Sequence, residues 1–198
     1  MNDNQTITFD EDNKSIDELY TDAISSPNIK TLNIKCKYDV INFSTADVNL
    51  KLILKNCKHI ENLDIYCGQI DDSTFDTDNL VYPTLKTLKI DWDIRTKQQL
   101  QNILFSFPNL DNLNIGEVDV KNSDMVDVII DLPTIKNLYF RIDDYDFDEA
   151  CVQLSRLLSM RRDLIVKTRA DWMSIWQYLE SLEKQYKNLV IDFYDSGF

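Results

Sequence analysis

The feature that most restricts how this chain can fold is an apolar pair recurring at a nearly fixed interval. The segments that carry it read NIKTLNI, HIENLDI, TLKTLKI, NLDNLNI and TIKNLYF, and their second apolar positions are Leu32, Leu63, Leu88, Leu113 and Leu138. The same phase extends back to Ile7 and on to Leu164 and Leu189, in steps of 25, 31, 25, 25, 25, 26 and 25 residues. Two residues after the anchors stand Phe9, Ile34, Ile65, Ile90, Ile115, Phe140, Val166 and Ile191. In a chain that is 43% hydrophobic, sixteen apolar residues at sixteen such positions arise by chance on the order of once in a million. Apolar residues two apart mark a short strand with one buried face, so eight equivalent strands are predicted.

Between the strands the period becomes helical. Ile16, Leu19, Tyr20, Ala23 and Ile24 make one apolar stripe, opened by Ser15 and Glu18 at capping-box spacing. Thr96 with Gln99 opens a second stripe, Leu100, Ile103, Leu104 and Phe107. Asp146 with Glu149 opens a third, Phe147, Ala150, Cys151, Leu154, Leu157 and Leu158. All four prolines, Pro27, Pro83, Pro108 and Pro133, stand five residues before an anchor, where a residue without an N–H ends a helix. The connector Ser73 to Tyr82 has a weak pattern, expected to form a single turn or an irregular segment. The long step between Leu32 and Leu63 carries six extra residues around CKYDVINFST (the 36–44 insertion), expected as a loop or an added strand.

Strand, turn and helix in about 25 residues, with apolar positions at −3, 0 and +2 of each anchor, resembles the leucine-rich repeat family. The −3 position is Ile29, Ile60, Leu85, Leu110 and Ile135, while Arg161 and Tyr186 break that column. The family's Asn or Cys at +5 is replaced by Lys37, Gly68, Asp93, Val118, Asp143, Arg169 and Tyr194, so the resemblance is to a divergent member without the Asn ladder. It implies an α/β solenoid in one domain, residues 1–198, with about eight short parallel strands on a concave face and helices on a convex face. It also implies a recognition scaffold that binds a partner protein through the concave face and the loop edges. That step is an analogy of fold.

Alternation points positions −1, +1 and +3 away from the core. The −1 column, Thr6, Thr31, Asn62, Thr87, Asn112, Asn137, Asp163 and Asn188, is small and polar throughout, as cross-strand hydrogen bonding requires. The +1 column, Thr8, Asn33, Asp64, Lys89, Asn114, Tyr139, Ile165 and Val190, turns large and apolar in its last three members. With Arg141 and Lys167 from the +3 column, these form an aromatic-aliphatic patch rimmed by cations, the composition of an interface hot spot. The plainer alternative is that the chain's own Tyr194 to Phe198 or a second copy covers it. Tyr66 with Asp64, Lys89 and Asp91 is a second candidate, set against an ordinary solvated surface. Eight short strands present roughly 500 Å², below the ~800 Å² per partner of a standard interface, so loops are expected to take part.

Charge narrows the partner. With 21 Lys and Arg against 34 Asp and Glu the net charge is −13, which disfavours nucleic acid and anionic membranes and favours a basic protein. Met1 to Asp12 lacks the basic and apolar stretches of a secretory signal, and no apolar run approaches the ~20 residues that cross a bilayer. Cys36, Cys57, Cys67 and Cys151 form no CxxC pair, so reduced thiols and a cytoplasmic location are expected. The single histidine, His59, has no nucleophile placed beside it, and three glycines cannot build a phosphate-binding loop. Asp143, Asp144, Asp146, Asp148 and Glu149 lack the spacing of an EF-hand and read as an acidic helix start. Asp91 and Asp93 flank Trp92 as solvated acids. No catalytic residue, metal or cofactor is expected. An inhibitor or immunity-type protein that neutralises a basic toxin or nuclease is the alternative to a general interaction module. The strand at Leu189 also leaves an edge open to a second copy.

Overall fold

The computed structural model describes residues 6–10, 15–26, 28–35, 54–66, 81–90, 96–117, 123–141, 147–169 and 173–191. The fold is α/β, a single unclosed sheet of eight parallel strands in chain order with helices. The strands are β1 (Thr6–Asp10), β2 (Thr31–Lys35), β3 (Asn62–Tyr66), β4 (Thr87–Ile90), β5 (Asn112–Glu117), β6 (Asn137–Arg141), β7 (Ile165–Arg169) and β8 (Leu189–Ile191). Helices with described bounds are α1 (Ile16–Ser25), α2 (Lys97–Ser106), α3 (Ser123–Ile130), α4 (Phe147–Met160) and α5 (Met173–Gln185), and residues 54–56 are helical as well. The chain forms two compact units, residues 1–92 with 101–110, and residues 93–100 with 111–198.

In the first unit the anchors lie directly opposite one another. Ile7, Leu32, Leu63 and Leu88 form one cross-strand row, and Phe9, Ile34, Ile65 and Ile90 the next. All eight side chains are buried, each contributing about 1.5–3 kcal/mol by removal from water. The residues between them stay at least partly exposed. Before β2 and β3 a carbonyl holds two amides of the next repeat. Lys30 accepts from Glu61 and Asn62 at 2.8 and 2.9 Å, and Glu61 accepts from Lys86 and Thr87 at 2.8 and 3.0 Å. The predicted capping box at α1 is present, with Ser15 Oγ accepting from Glu18 N and Glu18 Oε2 from Ser15 N at 2.7 Å. Pro83 and Pro108 stand in the predicted junctions, and Asn109 donates to the Pro83 carbonyl at 3.0 Å. Residues 36–53 and 67–80, which hold the insertion and all of the weak connector but Val81 and Tyr82, lie outside the described residues.

In the second unit the rows are Leu113, Leu138, Val166 and Leu189, then Ile115, Phe140, Thr168 and Ile191. The register shifts at Gly116, where Ile115 opposes Phe140 and Glu117 opposes Arg141, as a bulge does. The seventh anchor is therefore Val166, not the predicted Leu164. A slip of two residues keeps every side chain on its own face, so alternation alone cannot distinguish the two registers. The turn decides. Leu164 N bonds Arg161 O at 3.1 Å, the same contact that Ile29, Ile60, Leu85 and Leu110 make with Ser26, Cys57, Tyr82 and Phe107. Leu164, two residues before its anchor, thus makes the turn contact of the −3 column, and Leu189 bonds Tyr186 O in the same way at 3.2 Å while standing in the anchor row; Arg161 and Tyr186 take the acceptor place of Ser26, Cys57, Tyr82 and Phe107 instead of interrupting the −3 column. Asp163 leaves the −1 column, and Ile165 takes its place opposite Asn137.

Arg161 closes this unit. Its side chain is 8% exposed, and its five N–H donors meet five acceptors. These are the carbonyls of Ile129, Leu132 and Ile135 at 3.0, 2.6 and 2.8 Å, and both Asp163 oxygens at 3.0 and 2.9 Å. A guanidinium here satisfies carbonyls at and beyond the end of α3 and opposes that helix's negative pole. Its hydrogen bond holds the Asp163 carboxyl below the usual carboxylate range. Asn188 performs the corresponding task for α4, donating to Leu158, Arg161 and Leu164 carbonyls. Arg156 on α4 pairs with Asp127 on α3.

Candidate functional site

The outward face of β6, β7 and β8 is built by the same alternation that buries the rows beneath it. Tyr139, Lys167 and Val190 stand directly opposite one another on successive strands, about 4.8 Å apart as parallel neighbours are. Ile165 precedes Lys167 by two residues and shares its face, without the pairing to Tyr139 that the sequence predicted. Tyr139 is half-buried and Lys167 exposed, while Ile165 and Val190 keep 42% and 40% of their surface in water. Arg141 opposes Arg169 in register; the side chains of both lie outside the described residues.

The second predicted cluster is brought together only in part. Lys89 Nζ lies 3.3 Å from Asp64 Oδ2, a half-exposed ion pair across β3 and β4, which neutralises both groups and contributes at most ~1 kcal/mol. Tyr66 stands opposite Lys35 and is 38% exposed. Asp91 lies outside the described residues, with Asp93 and Trp92. The polar ladder predicted for the −1 column is present where Asn62 donates to Thr31 Oγ1 at 3.3 Å and Asn137 to Asn112 Oδ1 at 2.7 Å.

Cys57 and Cys151 are buried thiols outside any disulfide, and burial pushes the Cys57 thiol up, away from the thiolate a nucleophile needs. His59 sits exposed in the turn before β3, beside a surface depression of about 420 Å³ that Lys55, Asn56 and Lys58 also line. Among the described residues no three His, Cys, Asp or Glu side chains converge as metal ligands, and residues 142–146 of the acidic run lie outside them. No helix among them is long and apolar enough to cross a membrane. Sequence reading passed over Thr168, whose hydroxyl is fully buried without a hydrogen-bond partner. The two-residue register slip is what put it in an apolar row. Compared with known proteins, the chain matches no family model, no curated protein and no solved structure.

Proposed function

We propose that the chain is a non-enzymatic protein-interaction module, built as a divergent leucine-rich-repeat solenoid, that binds a partner protein through the β6–β8 strand face and adjoining loop edges. The observation that supports this reading is the exposure of Ile165 and Val190 around Lys167 and beside Tyr139. Apolar side chains clustered on a water-facing strand surface with an aromatic and a cation have the make-up of a binding hot spot. The same face of the first unit carries Thr8, Asn33, Asp64 and Lys89 in the corresponding column.

The test is capture of partners on the immobilised chain, compared with the variant Tyr139→Ala, Arg141→Glu, Lys167→Glu. Loss of the partner with an unchanged thermal melt is expected; retention would move the site elsewhere. The net charge of −13 favours a second, narrower reading, an acidic inhibitor or immunity-type protein for a basic toxin or nuclease. One basic protein held stoichiometrically and released by about 0.5 M salt would favour it. Several substoichiometric partners would favour a general adaptor.

A further inference from the structure

The strand face of the second unit holds a cation that forms no ion pair with any described residue. In the first unit Lys35 lies 3.9 Å from Asp10 and Lys89 3.3 Å from Asp64, each lysine matched by a carboxylate on the preceding strand. Lys167 stands in the same column as Lys89, yet its cross-strand neighbours are Tyr139 and Val190. None of the ion pairs among the described residues includes it.

We propose that this face receives an acidic peptide segment of the partner protein, with a carboxylate on Lys167 and flanking apolar side chains on Tyr139, Ile165 and Val190. The assignment rests on the protein-binding reading above and adds the chemistry of the bound segment. Any partner that covers Ile165 and Val190 also strips water from the ammonium between them. Desolvating a charge without a counter-charge is strongly unfavourable, and a basic segment would add repulsion. A carboxylate supplies a charge-assisted hydrogen bond, while the lysine stem packs along its apolar neighbours. The chain's excess of acid does not oppose this. The screening length at physiological salt is about 8 Å, so distant carboxylates act weakly on a group already in contact with Lys167. A partner that is basic overall and docks through a local acidic segment satisfies both fields.

The full-length chain, immobilised, is used to select peptides from a displayed random library, and selected peptides are titrated against Lys167→Glu, Tyr139→Ala and Val190→Asp. All three positions are at the surface, and unchanged thermal melts verify folding. The expected peptides carry Asp or Glu beside aromatic or aliphatic residues and lose roughly tenfold or more in affinity on Lys167→Glu. Replacing the peptide acid by Lys should restore binding to that variant. Peptides weakened by Tyr139→Ala yet indifferent to Lys167→Glu would overturn the acidic assignment while leaving the binding face intact. Peptides indifferent to all three changes, or no enriched peptide, would overturn both. A chain that dimerises, and does so less after Lys167→Glu, would put a second copy there and also overturn the assignment.

Discussion

The two units follow one repeat with different fidelity. In the first, every described strand position matches its neighbour, both inward rows are apolar throughout, and the face lysines Lys35 and Lys89 meet carboxylates. The second carries a bulge at Gly116, a shifted turn at Leu164, a threonine in an inward row, a buried arginine holding carbonyls at and beyond the end of α3, and a lysine among apolar neighbours. The four repeats in regular register stack apolar side chains in unbroken rows, with a capping box and exposed ion pairs at their surface. The irregular four add specific polar contacts such as those of Arg161, and on their outer face Ile165 and Val190 keep apolar surface in water beside Lys167.

That contrast can be tested by removing what differs. Arg161→Ala should have the largest effect, about 3–5 kcal/mol lost in guanidinium unfolding, because it strands buried carbonyls and a bound carboxylate. A loss below ~1 kcal/mol would show that water replaces the guanidinium and that the second unit does not depend on it. At the α1 cap of the regular unit, Ser15→Ala should cost about 1 kcal/mol in the same measurement. Thr168→Val should act in the opposite direction, stabilising by about 1 kcal/mol and raising the Tm by roughly 2–4 °C. A fall in Tm would mean that the hydroxyl has a partner. The Asp64–Lys89 coupling, measured by a double-mutant cycle, should be the smallest of these energies at about 0.2–1 kcal/mol.

A pH test isolates the Arg161 contact further. Because the folded Asp163 carboxyl is held below its ordinary value by the Arg161 hydrogen bond, its stabilising contribution is complete above the ordinary carboxylate range. It is lost as pH falls from about 4 toward the lower folded value. Asp163→Asn should flatten that acid limb; an unchanged acid transition would assign it to other carboxylates.

Strand positions, the Ser15 and Thr96 caps and the proline turns were legible because each follows from residues close in sequence. The strand alternation exposes Tyr139, Ile165, Lys167 and Val190, so the candidate face was readable as a set. Its internal arrangement was not. Leu164, Ile165 and Val166 present the same inward and outward pattern in either of two registers, and backbone bonds such as Leu164 N to Arg161 O and Ile165 N to Lys136 O select one. Arg161 read as a defect in an apolar column because its carbonyl acceptors lie 26 to 32 residues upstream. Helices α3 and α5, unmarked by a capping box in the reading of the chain, bury Val126 and Ile129, and Leu179 and Leu182, in i, i+3 pairs.

Leu32 and Leu63 face each other across 31 residues, while 25 suffice from Leu63 to Leu88, and both pairs keep the same register. By the logarithmic law of chain closure the six added residues cost only roughly 0.2 kcal/mol. Connector length and strand surface are therefore separately editable. A loop can be lengthened without rewriting the face beside it, and the face can be recoded without touching the loops, so selection or an engineer can tune grip and reach one at a time.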